Sequence, residues 1–367
     1  MRFRVAIIGG YGNFGGYVAR QLAADSAIEL VICGRNLAKA QEFAAGLQAA
    51  NPAQGARVDI ADPSAVILGD IAPDLVINMV GPYHGQGYGV AKAAIAVGAH
   101  YCDIADARAF VCGIGELDSA AQEMGVTVLS GASSVPALTA AYCDAALEDM
   151  AEMRRVEYGI SGAEQANRGA GTVAAVLSYV GERFTRLRDG WMQDEIGWRG
   201  AIPVDYPELG RRWFAAGDVP DLELFPSRYP GLQDHRFLAG HEIAPLHFGL
   251  WVMGALRRVR LIPNLSRFAD LLVSLSKPFN VLSRGRSGFH MVIEGVDGSG
   301  APVIRRHWII ARSGHGPNIP VIPPILIARK LARGERLEPG ARPCLDVITL
   351  GEYRSAFEGL DIECIDE

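Results

Sequence analysis

Six cysteines lie scattered through 367 residues, at 33, 102, 112, 143, 344 and 364, and no two form a C-x-x-C pair. That argues against a disulfide framework and favours reduced thiols in a cytoplasm. The eight histidines form no H-E-x-x-H motif and none pairs with a cysteine at metal-ligand spacing, so no structural or catalytic metal is expected. No apolar run approaches the ~20 residues of a membrane-spanning helix. The longest, 246–256, is itself interrupted by His247. The chain enters an apolar strand almost at once, which speaks against a signal peptide. A net charge of −6 without a basic domain gives no reason to expect nucleic acid as a partner. Internal repeats and low-complexity tracts are absent.

What remains is a globular chain, 49% hydrophobic and long enough for two domains. Its first feature is Val5-Ala6-Ile7-Ile8-Gly9-Gly10-Tyr11-Gly12-Asn13-Phe14-Gly15, an apolar strand running into a G-x-G-x-x-G turn that opens a helix. In that context the motif reads as a dinucleotide-binding loop. Gly10 makes the turn, Gly12 leaves room for a pyrophosphate, and Gly15 lets helix and strand pack closely. Asn13 and Phe14 complete the loop, where amides at the helix start face an anion. Phe14, Val18 and Leu22 give the helix one apolar face.

Further apolar strands near 28–33, 56–60, 74–80, 100–104 and 126–130, most of them separated by alanine-rich stretches, complete the alternation of a doubly wound parallel sheet. The second strand ends in Gly34-Arg35-Asn36. An NAD-binding protein usually places Asp or Glu there for the ribose 2′-hydroxyl; the missing acid and the arginine favour NADP(H). Arg35, Asn36 and Asp59, beyond the third strand, are therefore candidate cofactor residues.

The fourth strand runs into Val80-Gly81-Pro82-Tyr83-His84 on the side where ligands bind in this fold. Val80, Gly81 and Pro82 are candidates for cofactor contact, and Tyr83 or His84 for proton donation. The fifth strand ends in Asp103-Ile104-Ala105-Asp106, of which Asp103 looks the better placed to orient cofactor or substrate, or to cap the next helix. Gly131-Ala132-Ser133-Ser134-Val135-Pro136 follows the sixth strand; Ser134 is a candidate N-cap, and Ser133 and Ser134 are candidate substrate contacts. Tyr88 and Lys92 repeat the Y-x-x-x-K spacing of short-chain dehydrogenases, but directly after the fourth strand, and read as coincidence.

Beyond about 152 the alternation is lost. A strand at 155–160, a helix opened by Gly169-Ala170-Gly171-Thr172, and a hairpin of strands 288–296 and 302–311 around Asp297-Gly298-Ser299-Gly300 indicate a second, α+β domain. Gly171 and Thr172 are candidate substrate contacts at that helix start. Residues 245–286 combine many apolar side chains with seven basic ones against the single acid Asp270. They suit a pair of core-packed amphipathic helices with a basic outer face, a cover over an apolar cleft, or a segment lying on an anionic membrane.

Gly10-x-Gly12-x-x-Gly15, Gly34-Arg35, Val76 to Tyr83, Tyr101-Cys102-Asp103 and Gly131-x-Ser133-Ser134-x-Pro136 together resemble the saccharopine dehydrogenase-like reductases. The resemblance is good over residues 1–150 and weaker beyond. It implies an NADP-binding domain (1–150), an inserted α+β domain with an open, largely antiparallel sheet (151–315), a C-terminal segment (316–367) returning to the first domain, and a substrate cleft between the domains. Members of that family act on amino-acid-derived imines or on lipid enoyl groups. The expected protein is thus a homodimeric NADP(H)-dependent oxidoreductase acting on a C=N, C=O or C=C bond of a small molecule, with apolar molecules among the candidates. The alternative is a non-catalytic NADP(H) sensor, and fold does not separate the two.

Overall fold

A computed structural model describes residues 2–63, 65–163 and 169–367. In chain order the strands are β1 (Phe3–Ile8), β2 (Ile28–Gly34), β3 (Gln54–Arg57), β4 (Leu75–Asn78), β5 (His100–Asp103), β6 (Thr127–Ser130), β7 (Glu152–Gly162) and β8 (Arg183–Arg188). There follow β9 (Trp191–Ile196), β10 (Ile202–Tyr206), β11 (Gly210–Ala216), β12 (Asp234–His241), β13 (Ser287–Val296), β14 (Pro302–Ala311), β15 (Gly340–Pro343) and β16 (Ile362–Asp366). The chain divides into two compact units, residues 1–140 with 318–353 and residues 141–317 with 354–367.

The first unit is built on a seven-stranded sheet in the order β15-β6-β5-β4-β1-β2-β3, parallel throughout. Its inner strands are largely buried and carry apolar runs such as Val5-Ala6-Ile7-Ile8 and Leu75-Val76-Ile77, the pattern of a parallel sheet covered on both faces. The helix Asn13–Ala23 buries Gly15, Gly16, Val18, Ala19, Leu22 and Ala23, with Phe14 at the margin of that face. Fully burying side chains such as Val18 and Leu22 stabilises the unit by about 1.5–3 kcal/mol each. Strand order reverses between β1 and β4. In such sheets the crevice at the carboxyl ends on either side of that reversal is where ligands bind.

Parallel register brings the strand ends into line. Ile8 is paired with Cys33 and Asn78, Asn78 with Asp103, and Gly34 with Arg57. The third strand stops at Arg57, short of the expected 60, because Asp59 turns back to accept the amide of Ala61. The helix expected from Ser134 becomes regular only at Thr139. Val135 is held extended before Pro136, as residues preceding proline are. Ser134 consequently makes no cap, and the turn after Ser133 has no side-chain cap hydrogen bond.

The second unit holds a seven-stranded mixed sheet, β10-β11-β12-β7-β13-β14-β16, in which only β12 and β7 run parallel. A two-stranded hairpin, β8-β9, stands beside it in sequence. The C-terminal segment is divided rather than returning as one piece: β15 pairs with β6, whereas β16 extends the second sheet along β14. Exposed and half-buried positions alternate from Pro302 to Arg306 along β14, and β16 pairs with its other end, from His307 to Ala311. All six cysteines are free, and four of them are buried. No helix among the described residues is long and apolar enough to cross a membrane.

Candidate functional site

The glycine loop follows directly from β1. Gly9 has φ +78°, a conformation that side chains rarely adopt, and its amide donates to the carbonyl of Cys33 at 2.8 Å. Gly12 is the N-terminal flank of the helix Asn13–Ala23 and has no side chain to cap it, so the helix N-terminus presents backbone amides that favour an anion. At Gly15 a Cβ would sit 2.2 Å from the carbonyl oxygen of Gly9, so any other residue would push helix and loop apart. The loop therefore fits a dinucleotide pyrophosphate: bare backbone, a helix N-terminus, and close packing beneath.

On one side of the loop, β2 and β3 end in cations. Arg35 follows Gly34, Arg57 is Gly34's partner in register, and Lys39 lies in the first turn of the helix Leu37–Ala45. All three are exposed. Together with Tyr11, Asn36, Leu37 and Ala38 they line an open groove of about 720 Å³ that holds no carboxylate. Tyr11 crosses from the glycine loop to lie against Gly34 so closely that a Cβ there would meet its ring, and its hydroxyl accepts the amide of Asn36. Asn36 itself is committed: its side chain accepts the amide of Lys39 and caps the helix. Arg57, Lys39 and Tyr11 are not visible as site residues in the linear sequence. The β2–β3 register and one helical turn bring them to Arg35.

On the other side, β4 ends in a loop that packs back on the glycine turn, with Val80 against Gly9 and with Gly81 and Pro82 exposed. Gln86 holds this loop by donating to the carbonyls of Val80 and Pro82. Tyr83, expected to face the ligand, is instead 4% exposed, its ring tilted against Phe110, with its hydroxyl donating to the carbonyl of Asn78 at 2.8 Å. Burial pushes that phenol well above its ordinary range, and the neighbouring Asp103 adds to the effect.

Asp103 also turns inward. It is 0% exposed, and its Oδ1 accepts the amides of Ala105 and Gly131 and the hydroxyl of Ser130, tying the ends of β5 and β6 together. Burial raises its carboxyl to about 6 even though these hydrogen bonds pull the other way. Of the two acids, Asp106 is the one nearer solvent, and the exposed His84 lies in its field. Burial raises the Asp106 carboxyl, and His84 is the chief influence lowering it. His84 is thus exposed and Asp106 partly so, unlike Tyr83 and Asp103.

Ser133 and Ser134 are buried, and the carbonyl of Ser133 accepts the hydroxyl of Tyr353. Asp59, half-buried, is occupied by the turn after β3. Gly171 and Thr172 fall within the helix Gly169–Tyr179, and their side chains lie outside the described residues. The Tyr88 and Lys92 pair is divided: the hydroxyl donates to the carbonyl of Phe110, and the ammonium pairs with Glu116.

Residues 5–129 match the family model of the saccharopine dehydrogenase NADP binding domain. That stretch is similar to saccharopine dehydrogenase-type NADP-binding domains. The glycine loop, the basic groove, His84 and Asp106 all lie within the matched residues. Over its length the chain is similar in fold to apo histidine-tagged saccharopine dehydrogenase (L-Glu forming) from Saccharomyces cerevisiae, at 13% identity and a TM-score of 0.72, with 100% of each chain covered. Amine dehydrogenase from Mycobacterium smegmatis matches at 12% identity and a TM-score of 0.47, covering 94% of this chain and 96% of that one. A mutant meso-dapdh with DAP from Clostridium tetani E88 matches at 13% identity and a TM-score of 0.46, with 96% of each chain covered. Among curated proteins, no sequence matches.

Proposed function

We propose that the protein is an NADP(H)-dependent oxidoreductase that moves a hydride to or from a C=N, C=O or C=C bond of a small molecule. The observation that carries this reading is the convergence of Arg35, Lys39 and Arg57 on a groove without carboxylates, next to the bare glycine loop. Three cations suit a 2′-phosphate, which an acid at the end of β2 would repel. The bound nicotinamide would supply the hydride chemistry; the protein supplies position, electrostatics and a proton.

In this reading the amides after Gly12 hold the pyrophosphate, and Val80, Gly81 and Pro82 form the floor beside it. His84, backed by Asp106, is the proton donor or acceptor, because its imidazole is exposed at the strand edge while Tyr83 and Asp103 are occupied within the fold. The reduced cysteines fit work in a cytoplasm.

The test is deuteride transfer. The protein is incubated with NADPH carrying deuterium at the transferable C4 position and with a metabolite extract, and products are read by mass spectrometry. A product that gains one deuterium identifies the substrate and the bond reduced. A protein that binds the nucleotide but transfers deuterium to nothing, in extracts containing imines, ketones and enoyl compounds, is a sensor and not an enzyme.

A further inference from the structure

The helix Ala244–Arg258 is turned inside out. Its buried side chains include the polar His247 and Arg257, together with Gly254, while Phe248, Trp251, Val252 and Leu256 face outward. A helix on a globular surface ordinarily does the reverse. The inversion has a structural reason: Arg257 reaches back to donate to the carbonyls of Leu177, Ser178 and Val180 and pairs with Glu182, and the backbone carbonyl of His247 accepts the indole of Trp198. Fixing these two polar positions inward leaves the apolar stripe outside.

The exposed surface continues through the residues that follow. Val259, Leu261, Phe268, Leu271, Leu275, Phe279, Val281 and Leu282 are all exposed, Leu261 to 71% and Val281 to 84%. Twelve of the twenty exposed large hydrophobic side chains among the described residues fall between 248 and 282. Apolar exposure on this scale marks an interaction surface. It is also strongly basic. Arg258, Arg260, Arg267, Lys277 and Arg284 are exposed, and among the described residues no carboxylate pairs with any of their side chains. Residues 245–286 carry seven basic side chains against one acid, in a chain whose net charge is −6.

We infer that residues 244–284 dock on an anionic membrane surface, the apolar side chains entering the boundary between headgroups and acyl chains while the arginines meet lipid phosphates. Charge complementarity selects this occupant. A second copy of the chain meeting the same face by two-fold symmetry would set like-charged patches together, whereas an anionic leaflet attracts each Lys or Arg near it. The helix, at fifteen residues and roughly 22 Å, is too short to span a bilayer and suited to lying on one. Binding of this kind is independent of the chemistry proposed above and is measured without any substrate.

The experiment is sedimentation of the full chain with vesicles of phosphatidylcholine containing phosphatidylglycerol, and with vesicles of phosphatidylcholine alone. Binding to the anionic vesicles is expected to be at least about tenfold stronger and to weaken as salt rises. Reversing Arg258, Arg260 and Arg267 to Glu, or replacing Leu271 and Leu275 with Asp, should each lower it at least about tenfold at an unchanged unfolding temperature. As a second readout, brominated lipid should quench tryptophan fluorescence in the wild type and much less in Trp251→Phe. Failure to bind anionic vesicles at low salt overturns the inference, as does equal binding to both lipids. So does a dimer in analytical ultracentrifugation that the same substitutions dissociate, since the face would then be a self-interface.

Discussion

At the ends of β2 and β3 the charged side chains Arg35, Lys39 and Arg57 reach solvent, whereas across β1, on the same edge of the same sheet, Asp103 and Tyr83 are sealed inside. Both regions place polar residues at the carboxyl ends of parallel strands, where ligands of this fold bind. The difference lies in what the next strand offers. Beyond β5, the Ser130 hydroxyl and the Gly131 amide arrive within 3.0 Å of the Asp103 carboxylate and take it up. Beyond β3 the sheet has no further strand among the described residues, and the cations stay open to a ligand. A strand terminus is thus a place for a functional group only when the neighbouring chain leaves that group unoccupied.

The largest expected break of this contrast is at His84. With the substrate found by deuteride transfer, His84→Asn should lower turnover by about 10²-fold while leaving NADPH affinity unchanged; a variant with wild-type turnover would remove the imidazole from the reaction. Asp103→Asn tests the sealed side through stability. Because burial raises this carboxyl to about 6 from an ordinary value near 4, its contribution to stability is fully present below about pH 4 and is lost as pH rises through 6. Denaturant unfolding of wild type and variant should therefore show their stability difference changing by about 2 kcal/mol between those pH values. Parallel pH curves would mean that the carboxylate is solvated.

On the open side, Arg35→Asp should weaken NADPH about ten- to a hundredfold with NADH unchanged or tighter, and Arg57→Ala about tenfold, in fluorescence titrations. Equal losses for both nucleotides would place these arginines away from the 2′-phosphate. The smallest effect belongs to Tyr83→Phe. Loss of one buried hydrogen bond should cost about 1 kcal/mol of stability, read by denaturant unfolding, with turnover and affinity within about twofold of wild type. A large fall in turnover would return this hydroxyl to the chemistry.

Much of the open side is legible in the linear sequence and little of the sealed side is. The glycine loop is a local pattern of strand, turn and helix, and Arg35 follows its strand directly, so neither needs tertiary information. Arg57 does: only its pairing opposite Gly34 brings it to the groove. Asp103 and Asp106 are three residues apart and equally acidic, and which of them is consumed depends on donors from β6. The second unit gives the same lesson at larger scale. For residues 245–286 the sequence leaves core-packed helices, a cleft cover and a membrane-lying segment all open, and only Arg257 reaching back to the carbonyls of Leu177, Ser178 and Val180 turns the apolar face outward.

The central claim is that the basic groove beside the glycine loop is built for a 2′-phosphate. Titration of the wild-type protein with NADPH and with NADH, followed by nucleotide fluorescence at one ionic strength, tests it most directly. NADPH should bind about tenfold to a hundredfold more tightly, and equal affinities, or a preference for NADH, would contradict the claim.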